Sequence, residues 1–289
     1  MNNRIFHSSL AIFMGLAIAS LTLALTNNVL TPQAHAATLP RPAHVVVVME
    51  ENHSYSEVIG SSSAPYINSL AGQGALFTHS YAVTHPSQPN YLALFSGSTQ
   101  GITSDSCPHT FTKGNLASEL IGASFTFTGY SESLPKAGST VCTSGAYARK
   151  HSPWVNFSNV PTSDNQPFTS FPSSASYSTL PTVSFVIPNL NNDMHDGTIQ
   201  QGDTWLKNNI DAYAQWAKKN NSLLIVTWDE DDSSQSNQVP TIFVGQSVKI
   251  GHYSETINHY NVLRTLEDMY GLTALGSSAS ASAISDCWN

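Results

Sequence analysis

The chain has 289 residues, with 11 Lys+Arg, 19 Asp+Glu and 11 His, and a formal net charge of −8. Charged residues reach only 10%, against about 25% in an ordinary soluble domain, while hydrophobic residues make up 40%. That balance excludes a chain disordered by charge and leaves enough apolar material for a large core. It also excludes a general nucleic-acid binder, which needs a basic face. A small anionic substrate stays compatible, because a metal ion reverses the field locally.

Residues 1–36 read as a signal peptide. Arg4 is the only formal charge before residue 37, Leu10 to Leu25 is almost wholly apolar, and Ala34-His35-Ala36 has the A-x-A cleavage pattern. The apolar run is about 16 residues, short of the roughly 20 that a membrane span needs, and no later run is longer. The reading is therefore a secreted protein with no integral span after cleavage. Residues 37–289 form a single domain. Export places the three cysteines in an oxidising setting. Cys107 and Cys142 enclose a Gly-, Pro-, Ser- and Thr-rich stretch and are expected to pair; Cys287 is free or paired elsewhere.

The elements follow in chain order. His44 to Met49 is a β-branched run, as for a buried parallel strand, and it ends in Glu50-Glu51-Asn52. A short helix starts near Pro65, and Ala75 to Tyr81 is a strand. Pro89 to Phe95 reads as a helix with Pro89 at its first position and Ser87 at or beside the N-cap. Asn115 to Ile121 is a helix and Ser124 to Tyr130 a strand. Residues 131–180 lack periodicity and read as loops and small elements over the active face. Thr182 to Ile187 is a strand stopped by Pro188. Asp203 to Lys219 reads as one amphipathic helix capped by Asp203. Ser222 to Trp228 is a buried strand ending in Asp229-Glu230-Asp231-Asp232, and Val239 to Val244 a further strand. Asn261 to Tyr270 is a helix closed by Gly271. From about residue 273 a Ser/Ala-rich, flexible, exposed tail is expected. Strands alternating with helices give an α/β fold with a mostly parallel central sheet flanked by helices.

Ligands bind beyond the carboxyl ends of such strands. Polar clusters stand at three of those ends: Glu50-Glu51-Asn52, Asn189 to Asp196, and Asp229 to Asp232. Glu51, Asn52, Asp229 and Glu230 are hard oxygen ligands suited to one divalent cation. Ser87, at a helix start, faces the positive helix end, which favours an alkoxide and binds phosphate. His151, His195 and His259 are candidates for giving a proton or holding a phosphoryl oxygen. Arg149 and Lys150, in so weakly charged a chain, are candidates for substrate contact.

Several segments together resemble the bacterial phosphoesterase family, which holds acid phosphatases and phospholipase C-type enzymes of alkaline-phosphatase-like fold. Glu51-Asn52-His53-Ser54-Tyr55 is similar to its opening motif, and His85-Pro86-Ser87-Gln88-Pro89-Asn90-Tyr91 to its nucleophile segment. Tyr147 to Trp154, Asn192 to Gly197, Trp228 to Asp232 and His259-Tyr260-Asn261 follow in the family's order. The resemblance implies a covalent phosphoserine on Ser87. It implies one divalent metal held by Glu51, Asn52, Ser87, Asp229 and Glu230, with Asn90, His151 and His195 on the phosphoryl group. Asn189 stands where two-metal relatives carry Asp, which favours a single ion. Glu230 stands where some relatives carry Asp. The expected substrate is a small phosphomonoester, phosphoinositides included. The rival readings are a phospholipase C-type phosphodiesterase on the same site and a non-enzymatic extracellular solute-binding module. A sulfatase is disfavoured, because the Cys/Ser-x-Pro-x-Arg context is missing at Ser87.

Overall fold

The computed structural model describes Met1 and residues 39–289; the expected signal peptide lies outside them. The strands are β1 (His44–Glu50), β2 (Ala75–Tyr81), β3 (Phe127–Ser131), the short pair β4 (Thr143–Ser144) and β5 (Tyr147–Ala148), β6 (Asn165–Pro167), β7 (Val183–Ile187), β8 (Ser222–Trp228), β9 (Thr241–Gly245) and β10 (Gly251–Asn258). The helices are α1 (Tyr55–Val58), α2 (Pro65–Ala71), α3 (Ser87–Ser96), α4 (Leu116–Gly122), α5 (Ile199–Asn209), α6 (Asp211–Ala217) and α7 (His259–Tyr270).

Eight strands form one sheet in the order β10-β2-β9-β8-β1-β7-β3-β6. All pairings are parallel except those of β9 with β2 and β8. β1 lies at the centre, and successive side chains alternate between faces. Val45, Val47 and Met49 join a core with Phe95, Phe185 and Trp154, while Val46 and Val48 join one with Ile67, Trp205 and Tyr213. Both faces are therefore covered, as an unbroken Val run requires. Parallel strands also send their carboxyl ends to one edge, so Glu51, Asp193 and Asp229 emerge together.

The helices correct the sequence reading in three places. α3 begins at Ser87, with Pro86 as N-cap, so Pro89 is third in the helix and not first. The long helix expected over 203–219 is two helices broken at Ile210, and it starts earlier, capped by Thr198. Asp203 is buried inside α5, and its carboxylate accepts from the Tyr66 and Ile67 amides at the start of α2. The third correction concerns the expected exposed tail. Its Ser278, Ile284 and Cys287 are buried, Ser278 Oγ donates to Glu267, and Trp288 bridges to Val248. Most of the other Ser and Ala residues there are exposed, as expected, so the segment is anchored against α7 at these few points. The edge strand β10 has alternating exposure and no apolar run, and periodicity did not show it.

Cys107 and Cys142 are disulfide-bonded, and Cys287 is free and buried.

Candidate active site

Three strand ends and one helix start meet at the carboxyl edge of the sheet. Backbone hydrogen bonds lock them: Glu51 N donates to Asp193 O at 2.8 Å, and Asp229 N donates to Glu50 O at 3.0 Å. Asn52 takes a positive φ of 57°. That turn lets its N–H donate to Asp229 Oδ1 at 3.2 Å. Ser87 Oγ, in the first turn of α3, lies 3.1 Å from both Glu51 Oε2 and Glu230 Oε1. One hydroxyl proton serves one carboxylate at a time, so this oxygen sits between two acids with a single donor to share.

Glu51 is the hub. Its other oxygen accepts from the Tyr91 hydroxyl and lies 3.0 Å from His151 Nε2. His151 Nδ1 lies 3.2 Å from Asp193 Oδ2, and its ring stacks on Tyr91 at 5.0 Å between centroids. Burial works against charge on His151, but Glu51 and Asp193 outweigh it and lift its pKa to about 10. In return, and against the effect of burial, His151 holds Glu51 below the ordinary carboxylate value. In this buried row the imidazolium meets a carboxylate at each ring nitrogen, partners that a lone buried His lacks.

Asp229 is fully buried, and burial followed by repulsion from Glu51 and Glu230 pushes its pKa well up. Its Oδ2 has no hydrogen-bond partner among the described residues. Glu230 is likewise raised, first by burial. Ser87 Oγ between Glu51 and Glu230, and the orphaned buried oxygen of neighbouring Asp229, are donors of the kind a hard divalent cation takes. Asn52, half-buried, makes no side-chain hydrogen bond among the described residues. A second grouping overlaps this one: ligand atoms of Glu51, His151 and His195 lie within 4.8 Å of one another. The oxygen set suits a cation better, because Asp193 already holds His151 in its charged form.

Lys150 Nζ stands at the rim, 2.9 Å from Asp105 Oδ2 and 3.1 Å from His195 Nε2. An ammonium has only donors, so His195 Nε2 accepts and its Nδ1 donates to Asp196 at 2.8 Å.

Three expected contact residues are placed elsewhere. Asn90 spends its amide on the 83–86 loop: Oδ1 accepts from Val83 N and Thr84 N, and Nδ2 donates to Thr84 O and Pro86 O. It shapes the turn before Ser87 and offers no free group to a ligand. His259 is buried with Nε2 2.8 Å from Asp229 O, so it props the carboxyl end of β8; burial takes its pKa down to about 4. Arg149 turns away from the cleft and binds the backbone oxygens of Thr140, His109 and Val155. Glu50, adjacent to the cradle in sequence, is fully buried with both oxygens unpartnered among the described residues. Burial, then Asp193 and Glu51, pushes its pKa well above the ordinary carboxylate value.

Sequence reasoning assigned no role to Tyr91, Asp193, Asp105 or His85. Tyr91 follows Ser87 by one helical turn, and that spacing was the available signal. Asp193 lay in a recognised polar cluster but carried no mark of its own. His85 lies 2.7 Å from Glu230 Oε2 and 3.2 Å from Asp231 Oδ1, contacts made only by the fold.

Comparison with known proteins agrees with this geometry. The Phosphoesterase family profile matches residues 61–273. A phosphatidylinositol-3-phosphatase of Mycobacterium tuberculosis is 56% identical over 276 residues, covering 95% of this chain and 92% of that protein. An acid phosphatase of Aspergillus fumigatus is 30% identical over 78% of this chain, which spans 54% of that protein's length. Among solved structures, a Vibrio parahaemolyticus protein in the alkaline phosphatase superfamily superposes with a TM-score of 0.59 at 12% identity, covering 86% of this chain and 72% of that one. A phosphonate monoester hydrolase from Silicibacter pomeroyi gives a TM-score of 0.58 at 9% identity, covering 84% of this chain and 76% of that one. At such identities these structures speak to the fold alone, an alkaline-phosphatase-like α/β sheet. The length of the family match and the identity to the mycobacterial phosphatase lead to one conclusion: the chain belongs to the phosphoesterase family.

Proposed function

We propose that the protein is a secreted, metal-dependent phosphomonoesterase that works through a phosphoserine at Ser87, with residues 1–36 as its signal peptide. The observation that carries the reading is Ser87 Oγ at the start of α3, held between Glu51 and Glu230 with the charged His151 behind Glu51. The mycobacterial relative's name extends the proposal to phosphoinositide monoesters as substrates.

Glu51, Asn52, Ser87, Asp229 and Glu230 would hold one divalent cation. When bound, it supplies Lewis-acid activation and neutralises the crowded acids. Ser87 Oγ attacks phosphorus in line, and Glu51 or Glu230 takes the hydroxyl proton. The amides at the start of α3 and the positive charge on His151 stabilise the equatorial oxygens. The P–O bond to the leaving alcohol breaks, and that oxygen takes a proton from the Lys150–His195 pair at the rim. Water then hydrolyses the phosphoserine and returns the hydroxyl. Tyr91 and Asp193 position Glu51 and His151, while Asn90 and His259 position the Ser87 turn and the Asp229 strand end.

The test is a steady-state assay on an aryl phosphate and an aryl phosphodiester, with and without a chelator. Turnover of the monoester should fall by about a thousandfold or more in Ser87→Ala. A folded Ser87→Ala protein with near-full activity would refute the reading, and preferred turnover of the diester would favour the phospholipase-type alternative.

A further inference from the structure

One carboxylate at the cleft rim belongs neither to the acid cluster around Ser87 nor to the buried His151 row. Asp105 lies two residues before Cys107, in a stretch without helix or strand. Its contacts nevertheless fix it. Asp105 Oδ1 accepts from Gln88 N at 2.9 Å, in the first turn of α3. The buried Gln88 side chain, its amide nitrogen turned to the same stretch, donates to Ser106 O at 2.8 Å and Ser104 O at 3.3 Å. Asp105 Oδ2 lies 2.9 Å from Lys150 Nζ. On the lysine side, Arg149 N donates to Cys142 O at 2.9 Å, directly before Lys150. The Cys107–Cys142 bridge thus joins the two backbones that carry the pair.

Exposed ion pairs contribute only about 0–1 kcal/mol. Here the side chains are 29% exposed for Asp105 and 17% for Lys150, covered enough for charge to matter and open enough for a ligand to reach. Lys150 has a long, flexible stem and three N–H donors. One donor meets Asp105, one meets His195 Nε2 at 3.1 Å, and a third remains. Burial opposes the ammonium charge, but the Asp105 hydrogen bond, then Glu51, lifts its pKa above the ordinary lysine value. Glu51 and Asp229 attract the same ammonium from inside the cleft. Among the described residues, however, its one carboxylate contact is Asp105. Asp105 therefore holds Nζ at the rim and against His195.

We propose that Asp105 is a positioning residue for the leaving-group side of the reaction. It ties Lys150 to the helix turn that carries Ser87, so that the nucleophile and the Lys150–His195 pair keep a fixed spacing about a bound phosphoryl group. The assignment rests on the phosphomonoesterase reading of the cleft. In that reaction the P–O bond to the alcohol breaks, and the alcohol oxygen takes a proton from the pair. The water that later hydrolyses the phosphoserine returns a proton to it. An ammonium that drifts by one rotamer loses that oxygen, because proton transfer needs hydrogen-bond distance. The effect depends on the alcohol: a stable anion leaves without the proton, and a basic one does not.

The test compares kcat/KM of the disulfide-intact protein, in a divalent salt, on 4-nitrophenyl phosphate and benzyl phosphate. The first releases a stable anion and the second a basic one. Asp105→Asn keeps an acceptor for Gln88 N and removes the charge beside Lys150. It should lower kcat/KM about tenfold or more on benzyl phosphate and less than about threefold on 4-nitrophenyl phosphate, and the second value shows that the variant is folded. Asp105→Glu restores the charge and should recover part of the benzyl phosphate rate. Lys150→Met should show the same split, and adding Asp105→Asn to it should cost nothing more. Equal losses on the two esters, full additivity in the double variant, or unchanged benzyl phosphate turnover in Asp105→Asn would overturn the assignment. The cleft reading would survive any of these if Ser87→Ala is inactive on both esters. A Ser87→Ala protein with near-full activity would overturn both.

Discussion

Asp193→Asn isolates the electrostatics of the buried row. Asp193 Oδ2 faces His151 Nδ1 at 3.2 Å, while Oδ1 accepts from His195 N at 2.9 Å. An Asn there keeps the shape and the second bond but removes one negative charge from His151. A hydrogen bond to a charged group is worth about 1.5–3 kcal/mol, and a pKa unit about 1.4 kcal/mol. The His151 pKa, about 10 in the wild-type row, should therefore drop by about one to two units. The sign follows from losing a partner of the charged form: the imidazolium gives up its proton at lower pH. The assay is an NMR titration of the His151 ring in the metal-free protein, beside kcat/KM for an aryl phosphate. Activity should drop about tenfold to a hundredfold as stabilisation of the equatorial oxygens weakens. An unmoved His151 titration would refute the assignment of that charge to the Glu51–His151–Asp193 row.

Four further outcomes follow from the geometry. Tyr91→Phe removes the hydroxyl that holds Glu51 Oε1; kcat should fall about tenfold with KM little changed, because a positioning contact is lost. A chelator should abolish turnover and a divalent salt restore it, and metal loading should raise the thermal midpoint by relieving repulsion among Glu51, Asp229 and Glu230. Burial lifts Glu267 to about 7 even though Ser278 and the Leu275 amide donate to it. The folded state then holds a proton that the unfolded state releases, so stability falls as pH rises between about 4.5 and 7, by up to about 3 kcal/mol; urea unfolding of Glu267→Gln should lack that loss. Gly129→Ala sets a Cβ 2.1 Å from the Trp154 ring, and calorimetry should show a loss of about 1–3 kcal/mol or more from overpacking.

Residues that act through strand position were legible in the sequence. Val45 to Val48 could only be a buried strand, so Glu51 had to emerge at its carboxyl end, and the same logic placed Asp229 and Glu230 after β8. Ser87 was singled out by the resemblance of the 85–91 segment; its place beside a helix start by itself read no further than an N-cap, and Pro89 misplaced the first turn by two residues. Residues whose role depends on which way a side chain turns were not legible. Arg149, Lys150 and His151 are consecutive, yet one leaves the cleft and two enter it, because a 3₁₀ turn spreads successive side chains around its axis. Asn90 and His259 sit where ligand contacts were expected but are spent on local backbone. The C-terminal segment looked polar enough for solvent, and most of it is exposed; its anchor points rest on Ser278 satisfying Glu267 and on Ile284 and Cys287 filling the core, pairings that only the fold supplies.

The central claim is that Ser87 becomes covalently phosphorylated during turnover. Rapid acid quench during hydrolysis of an aryl phosphate, followed by peptide mass analysis, tests it directly. The account predicts one added phosphoryl group on the peptide carrying Ser87, absent without substrate and absent in Ser87→Ala. Full turnover with that peptide unmodified at every quench time, and with no burst of the alcohol product, would contradict it.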